Sequence, residues 1–154
     1  MTRKIQFLIF FLLVNFGGLA LGSLLMNDGP TSNWSKNLSK APWNPQGWVF
    51  GVAWTTIMTC FSVYLTYLFT ENYKQRKTIL FILQVILNVS WNYVFFNLHQ
   101  VLFGLVVIVL LTALITYFFL SYFKEQKIIS LLLLPYMIWL CIATSLNLYI
   151  LIHN

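Results

Sequence analysis

Acidic side chains are nearly absent from this sequence of 154 residues, which contains only three Asp and Glu residues. The three, Asp28, Glu71 and Glu125, fall in predicted connectors between apolar runs. A carboxylate pair for acid–base catalysis, a catalytic triad or a carboxylate metal cluster is therefore not expected inside the fold. The same scarcity disfavours an ion-coupled transporter, because such proteins usually bury ionisable residues along their transport path.

Cysteine is also scarce, and the two cysteines do not form a recognisable motif. Cys60 and Cys141 both lie inside apolar runs, without a CxxC spacing or a neighbouring histidine. A disulfide framework, a zinc site and covalent haem attachment are therefore unsupported, and we interpret both as small core residues. His99 and His153 lie near the ends of apolar runs and are interpreted as interfacial side chains rather than metal ligands, so no metal site is predicted.

Apolar residues dominate what remains, since the chain is 60% hydrophobic, 18% aromatic and only 8% charged. The apolar character is continuous rather than alternating, which favours membrane-spanning helices over the strands of a barrel. The net charge of +6 comes from short basic clusters between these runs. That distribution is typical of an integral membrane protein in a lipid bilayer and not of a nucleic-acid-binding protein.

Five apolar runs predict an all-α bundle of five transmembrane helices in one domain, residues 1–154. The predicted helices cover residues about 5–26, 45–69, 78–97, 101–123 and 128–152, with a long polar loop at 27–44. The first run could also be a secretory signal cleaved near Ala20-Leu21-Gly22, but its length favours a retained helix. The loop could be a lid over a pocket or a solvated connector. The fourth helix, nearly all Leu, Val, Ile and Phe, is expected to be the most lipid-exposed.

Basic residues are distributed unevenly between the two sides of the predicted bundle. Of the nine Lys and Arg residues, Lys36 and Lys40 fall on one side. The other seven are Arg3, Lys4, Lys74, Arg76, Lys77, Lys124 and Lys127. The positive-inside rule then predicts a cytoplasmic N-terminus and a first loop outside the cell.

The second helix is predicted to start at Pro45. Proline at a first helical position loses no internal hydrogen bond, and the preceding Asn44 can cap the exposed amides. Two strips of small residues suit close helix contact, and they are Gly18-xxx-Gly22 and Gly47-xxx-Gly51-xxx-Thr55.

Aromatic and amide residues recur at helical spacing in three of the runs. Two of the stripes are Gln84, Asn88, Trp91 and Phe95 in the third run, and Pro135, Trp139, Ala143 and Asn147 in the fifth. Phe50 and Trp54 lie on one face of the second run. Amides at membrane depth need partners, so these faces are predicted to point into the bundle or toward a ligand, with plain interhelical hydrogen bonding as the alternative.

Taken together, these residues resemble the TspO/MBR family of tryptophan-rich sensory proteins and translocator proteins. The matching positions are Gly22-Ser23, Trp34, Lys40-xx-Trp43, Trp48-Val49, Trp54, Gln84-xxx-Asn88-xx-Trp91, Phe95-Phe96 and Pro135-Tyr136-xx-Trp139-xxx-Ala143-Thr144-x-Leu146-Asn147. The loop motif of the family usually reads Lys-Pro-x-Trp-x-Pro-Pro, and here Ala41 and Gln46 replace two of its prolines. The cholesterol motif of animal members has a Lys or Arg after the tyrosine, whereas only His153 and Asn154 are polar after Tyr149, so the resemblance does not by itself imply cholesterol recognition.

The resemblance implies a five-helix bundle in a bacterial cell membrane, commonly a homodimer, with a pocket under the first loop for protoporphyrin IX and other flat hydrophobic ligands. No cofactor is required. Trp54 and Trp139 match two tryptophans tied to light-dependent porphyrin breakdown in bacterial relatives, so they are the candidate catalytic residues. The candidate ligand-binding residues are Trp43, Phe50, Gln84, Asn88, Trp91, Phe95, Ala143 and Leu146. Sensor, photo-oxidative enzyme and porphyrin transporter all remain open.

Overall fold

Long apolar runs become continuous helices in a bilayer, because a helix satisfies its own backbone N–H and C=O groups. The computed structural model describes residues 2–71 and 74–154, and these contain five long helices and no strand. The helices are α1 (Arg3–Leu25), the short α2 (Asn33–Asn37), α3 (Gly47–Glu71), α4 (Gln75–Asn92), α5 (Val101–Gln126) and α6 (Leu134–His153). The predicted all-α architecture of five membrane helices is therefore confirmed.

Two of the long helices adjoin irregular turns. One turn of π-helix, Tyr93–Asn97, follows α4, and a 3-10 segment, Lys127–Leu133, precedes α6. Lys127 adopts a positive φ of 48° where the chain reverses after α5. In the described part of the chain, four helical stretches are long and apolar enough to cross a membrane, and the last, Val101–His153, contains both α5 and α6.

Three predicted helix starts are corrected by the structure. The fifth helix, predicted from about residue 128, becomes α6 from Leu134, because residues 127–133 form the 3-10 segment. Helix α3 begins at Gly47 rather than Pro45, and the Asn44 side chain does not cap it but donates from Nδ2 to the carbonyl of Pro45 at 3.3 Å. Helix α4 begins at Gln75 rather than near residue 78, so Arg76 and Lys77, predicted to form a connector, lie in its first turn, and Lys74 is its N-cap. The helix extends there because Lys77 finds a buried partner, as described below.

The helices form a ring in which each long helix packs on two neighbours. Helix α1 contacts α3 and α4, α5 lies between α4 and α6, and α6 closes the ring against α3. The end of the bundle that carries Arg3, Lys74 and Lys124 is called the basic end here, and the end that carries residues 26–46 is called the loop end. Many of the most deeply buried side chains, Phe61 and Phe118 among them, belong to the halves of α3 and α5 nearer the basic end.

Exposure to lipid differs from the prediction. Among the five long helices, α1 buries the fewest residues, three of 23, whereas α5 buries eight of 26. The expectation that the fourth membrane helix is the most exposed is therefore wrong, because α5 packs on the 3-10 segment and the π-helical turn as well as on α4 and α6. Cys141 is exposed and Cys60 half-buried, so Cys141 is not the core residue that its apolar surroundings in the sequence indicated.

The two strips of small residues have different surroundings. Gly18 faces Val89 of α4, and a Cβ added at Gly22 would lie 2.6 Å from Nδ2 of Asn92. This strip therefore makes the close helix contact that was predicted for it. A Cβ added at Gly47 or Gly51 would meet no heavy atom of the described chain within 4 Å.

A buried lysine joins three helices at the basic end. Lys77 of α4 is 0% exposed, and its Nζ donates to the carbonyl of Leu68 in α3 at 3.0 Å. The same Nζ pairs with Glu125 Oε1 in the last turn of α5 at 2.5 Å and lies 5.3 Å from the centroid of the Tyr122 ring. The interpretation of Lys77 and Glu125 as connector residues is therefore wrong, because packing brings each side chain a partner.

Replacing this lysine should destabilise the bundle. Lys77→Met leaves Glu125 and the Leu68 carbonyl without their partner, and we expect a loss of about 3 kcal/mol, the lower end of the range for breaking a buried pair, because Glu125 is partly exposed. Thermal unfolding of the detergent-solubilised protein, followed by circular dichroism, measures the loss. Lys74→Met removes an exposed charge at the same end and should leave the melting temperature unchanged. Equal melting of the two variants would contradict the role given to Lys77.

Candidate functional site

Trp54 of α3 and Trp139 of α6, the candidate catalytic residues, lie in one aromatic cluster. The ring of Trp139, only 6% exposed, meets the ring of Phe50 edge-on, with centroids 5.2 Å apart at 88°. The half-buried ring of Trp54 lies 6.0 Å from the ring of Tyr136 at 75°. Because Tyr136 precedes Trp139 by one helical turn, and Phe50 precedes Trp54 by one turn, the four residues form an interface between α3 and α6, called the aromatic cluster below.

An amide from α4 reaches this cluster. Gln84 is 1% exposed, and its Nε2 donates to the hydroxyl of Tyr136 at 2.8 Å. The prediction that the Gln84 face points into the bundle agrees with this contact. Sequence reasoning did not select Tyr136 as a site residue, although its position one turn before Trp139 places it on the same face of α6.

The later part of the α4 stripe contacts the loop rather than the aromatic cluster. Trp91 stacks on Phe95 of the π-helical turn, with centroids 5.1 Å apart at 12°. Phe95 in turn meets Trp34 of α2 at 5.5 Å, and Trp34 stacks on His99 at 4.2 Å and 18°. Asn88 is 8% exposed and lies between these residues and Gln84 along α4. One face of α4 therefore runs from the aromatic cluster to the loop.

Helices α5 and α6 come close to the same turn. A Cβ added at Gly104 of α5 would lie 3.1 Å from Phe95 Cδ2 and 3.5 Å from Asn147 Nδ2, so glycine permits this approach. Asn147 is buried, and its Nδ2 donates to a backbone carbonyl at the start of α5 at 3.4 Å. The remaining candidates on α6 are Leu146, which is buried, and Ala143, which packs against the core.

Three buried polar atoms along these faces have no hydrogen-bond partner in the described chain. They are the acceptors Gln84 Oε1 and Asn147 Oδ1 and the donor Trp91 Nε1. A buried polar group without a partner is costly in an apolar interior. The faces of α4 and α6 can therefore offer one N–H and two carbonyl oxygens to a ligand, beside several aromatic rings.

The loop between α1 and α3 closes this end of the bundle. The side chain of Ser32 caps α2 by accepting from the backbone N–H of Ser35 at 3.1 Å. Farther along, the N–H of Ser39 donates to Asn154 Oδ1 at 2.8 Å, and its carbonyl accepts from Asn154 Nδ2 at 3.3 Å. Together with the stacking of Trp34 on His99, these hydrogen bonds attach the loop to two sides of the ring.

Trp43 differs in position from the other predicted ligand-binding residues. Its side chain is 55% exposed, its Nε1 donates to Ser145 Oγ at 3.2 Å, and its ring meets Tyr149 edge-on at 5.5 Å. Both partners belong to α6. Trp43 therefore attaches the loop to α6, and its contacts in the described chain do not include the aromatic cluster.

Removing the aromatic contact of α2 should loosen the loop. We expect Trp34→Ala to raise amide hydrogen exchange across residues 29–41 by about tenfold, because stacked aromatic pairs contribute on the order of 1 kcal/mol. Hydrogen exchange of the detergent-solubilised protein, read by mass spectrometry, gives the rates. Trp48→Ala removes an indole that is 68% exposed and should leave them unchanged. Equal exchange in wild type and Trp34→Ala would show that the stack does not hold the loop.

Comparisons with known proteins identify relatives along most of the chain. A sequence model of the TspO/MBR family matches residues 10–153. The tryptophan-rich protein TspO of Chlorobaculum tepidum is 35% identical over 129 residues, which are 81% of this chain and 82% of that protein. The tryptophan-rich sensory protein of Cereibacter sphaeroides is 29% identical over 126 residues, 82% and 77% of the two chains. The translocator protein of Homo sapiens is 27% identical over 135 residues, 84% and 79% of the two chains.

Proposed function

Because the chain belongs to the TspO/MBR family of membrane proteins, we propose that it is a receptor or sensor for flat hydrophobic ligands, with protoporphyrin IX as the expected one. The proposed site lies between α3, α4 and α6 beneath the loop. The observation that carries the proposal is that Phe50, Trp54 and Trp139 meet in one cluster with a buried amide beside it.

The groups along this site suit an iron-free tetrapyrrole. Aromatic side chains can stack on its large π surface. The unpaired N–H of Trp91 can donate to a propionate oxygen, and the unpaired Oε1 of Gln84 can accept from a pyrrole N–H. Lys40 is exposed in the loop, where its ammonium can meet a propionate at the mouth of the site. An axial ligand for haem iron is not among these groups.

Ligand entry requires the aromatic rings to separate. Phe50 and Trp139 touch each other across α3 and α6, with ring centroids 5.2 Å apart, so a flat molecule must insert between them or displace one of them. The loop must also release at least one of its attachments, at His99 or at Asn154. We therefore expect association to be slower than diffusion and to depend on the opening of the loop end.

Light-dependent breakdown of the bound porphyrin is a second candidate function. It is favoured by the position of Trp54 and Trp139 in the same cluster, because an indole against the porphyrin ring can exchange an electron with it when the ring absorbs light. The protein would then contribute position and the exclusion of water. A passive carrier of porphyrins is the remaining alternative.

Protoporphyrin IX added to the detergent-purified protein tests these functions. We expect saturable binding in the dark, measured by the quenching of tryptophan fluorescence and by porphyrin absorbance. Trp139→Phe should bind about tenfold more weakly, because part of the aromatic contact is lost. Trp48→Phe, which alters an exposed indole, should bind like wild type. Absence of binding to wild type would refute the receptor proposal.

Illumination in air and a flux measurement then separate the alternatives. The photo-oxidative enzyme would be favoured if wild type consumes porphyrin under light and the Trp139→Phe variant, saturated with porphyrin, does not. Equal behaviour of the two proteins under light would leave a binding or sensory protein. Porphyrin flux into sealed vesicles containing the protein would favour the carrier.

We also propose that two copies associate through the strip Gly47, Gly51 and Thr55 of α3. These residues are exposed, and small residues allow close helix contact in membranes. Gly51→Leu should therefore convert a dimer to a monomer in mild detergent, as measured by light scattering after size-exclusion chromatography. Gly17→Leu, at an exposed glycine of α1, should leave the dimer intact. A monomeric wild type, or a dimer that survives Gly51→Leu, would contradict this contact.

A further inference from the structure

A groove on the outer surface between α5 and α6 lies apart from the aromatic cluster. Its volume is about 820 Å³. Its walls include Val109, Ala113 and Leu120 of α5 and Cys141 and Leu148 of α6. All five of these residues are exposed on the outer surface of the ring. In a membrane protein such a surface faces lipid, so the groove is open to molecules of the bilayer.

The length of the groove matches one leaflet of a bilayer. Its lining on α5 extends from Val109 to Leu120, which is roughly 16 Å at the helical rise of 1.5 Å per residue. The hydrocarbon core of a bilayer is about 30 Å thick, so this is close to half of it. The groove therefore has the length of an acyl chain. It runs from Leu120, on the half of α5 nearer the basic end, past the middle of that helix to Val109.

Positive charge lies where the headgroup of such a lipid would be. Tyr117 lines the groove, and Arg76 of α4 donates to its hydroxyl, with the guanidinium carbon 5.2 Å from the ring centroid. Lys124 lies one turn beyond Leu120 on the same face of α5, toward the basic end. Both cations are exposed.

The acidic side chains of this end are already engaged. Glu125 pairs with the buried Lys77, and Oε2 of Glu71 accepts from Nε2 of Gln126 at 3.1 Å. Arg76, by contrast, contacts a neutral phenol. A guanidinium oriented by an aromatic ring, near an ammonium at the membrane surface, suits a phosphate oxygen.

From this combination we propose that the α5–α6 groove is a specific site for an anionic phospholipid. One acyl chain lies in the groove, and Arg76 and Lys124 bind the headgroup phosphate. Tyr117 positions Arg76 at the mouth of the groove. Basic pockets between membrane helices bind acidic headgroups for the same electrostatic reason. This site does not depend on which ligand the aromatic cluster binds.

Native mass spectrometry of the full-length protein tests the proposal. Phosphatidylglycerol and phosphatidylcholine with identical acyl chains are added to the protein in the same detergent, and bound lipids are counted. We expect one phosphatidylglycerol to bind about tenfold more tightly than phosphatidylcholine, since two cations contribute to the attraction. The double variant Arg76→Gln/Lys124→Gln should lose this preference. Arg3→Gln/Lys74→Gln removes equal charge from the same end and should retain it.

A second variant tests the groove itself. Ala113→Phe adds bulk to an exposed position on the groove wall, where it should fill the groove without disturbing the core. Its melting temperature should equal that of wild type, while its affinity for phosphatidylglycerol should fall about tenfold, because the acyl chain loses its contact surface. If Ala113→Phe does not fold, Cys141→Phe, on the opposite wall, provides the same test.

Four results would overturn the proposal. Equal binding of the two lipids by wild type would show that the groove holds only ordinary bilayer lipid. A preference that survives Arg76→Gln/Lys124→Gln would place the headgroup elsewhere, and unchanged binding by both groove variants would remove the acyl chain from the groove. Oxidative cross-linking of Cys141 between two copies in bilayers would show that a second copy of the chain occupies the groove.

Discussion

Buried polar contacts hold the helices of this protein in register, because lipid tails give apolar helices little hydrophobic reason to associate. Asn15 of α1 donates to Ser62 of α3 at 2.8 Å. Gln84 of α4 donates to Tyr136 of α6 at 2.8 Å, and Lys77 of α4 pairs with Glu125 of α5 at 2.5 Å. Two of these contacts join neighbouring helices of the ring, α1 with α3 and α4 with α5, and the Gln84–Tyr136 bond crosses the ring from α4 to α6. A polar group that enters the apolar interior must find its partner there, which makes these contacts specific as well as stabilising.

The two ends of the bundle differ in how tightly their side chains are packed. At the basic end, Lys77 and the fully buried Phe61 and Phe118 make a closed, well-packed base. At the loop end, Trp54 and Trp91 are only partly buried, and polar atoms along α4 and α6 lack partners. Regions of lower packing open more readily than a closed core. The loop end is therefore the part of the bundle that can open for the proposed ligand while the base stays folded.

Helical spacing was sufficient to predict which residues share a face, but not what each face meets. Gln84 and Trp139 were placed toward the bundle interior because their stripes recur every three or four residues, and the structure brings both to the aromatic cluster or its edge. The spacing places Tyr136 on the face of Trp139, but it does not indicate that the Tyr136 hydroxyl accepts from Gln84 of another helix. Trp43 was assigned to the ligand site on its motif alone, whereas its contacts lie on α6 at Ser145 and Tyr149. Residue spacing shows which side chains share a face of one helix, whereas the side chain that each of them contacts lies on a different helix.

The sequence by itself determined that this is a membrane protein of five helices, because continuous apolar runs of sufficient length have few alternatives in a bilayer. The order of the helices around the ring was decided by tertiary structure, as was the attachment of the loop to the ring through Trp34 and Asn154. The role of Lys77 shows the difference most clearly. In the sequence it is one of several basic residues next to a helix, and only the approach of Glu125, 48 positions away, makes it a buried partner. Local patterns follow from the backbone of a single helix, whereas the pairing of charges follows from which helices become neighbours.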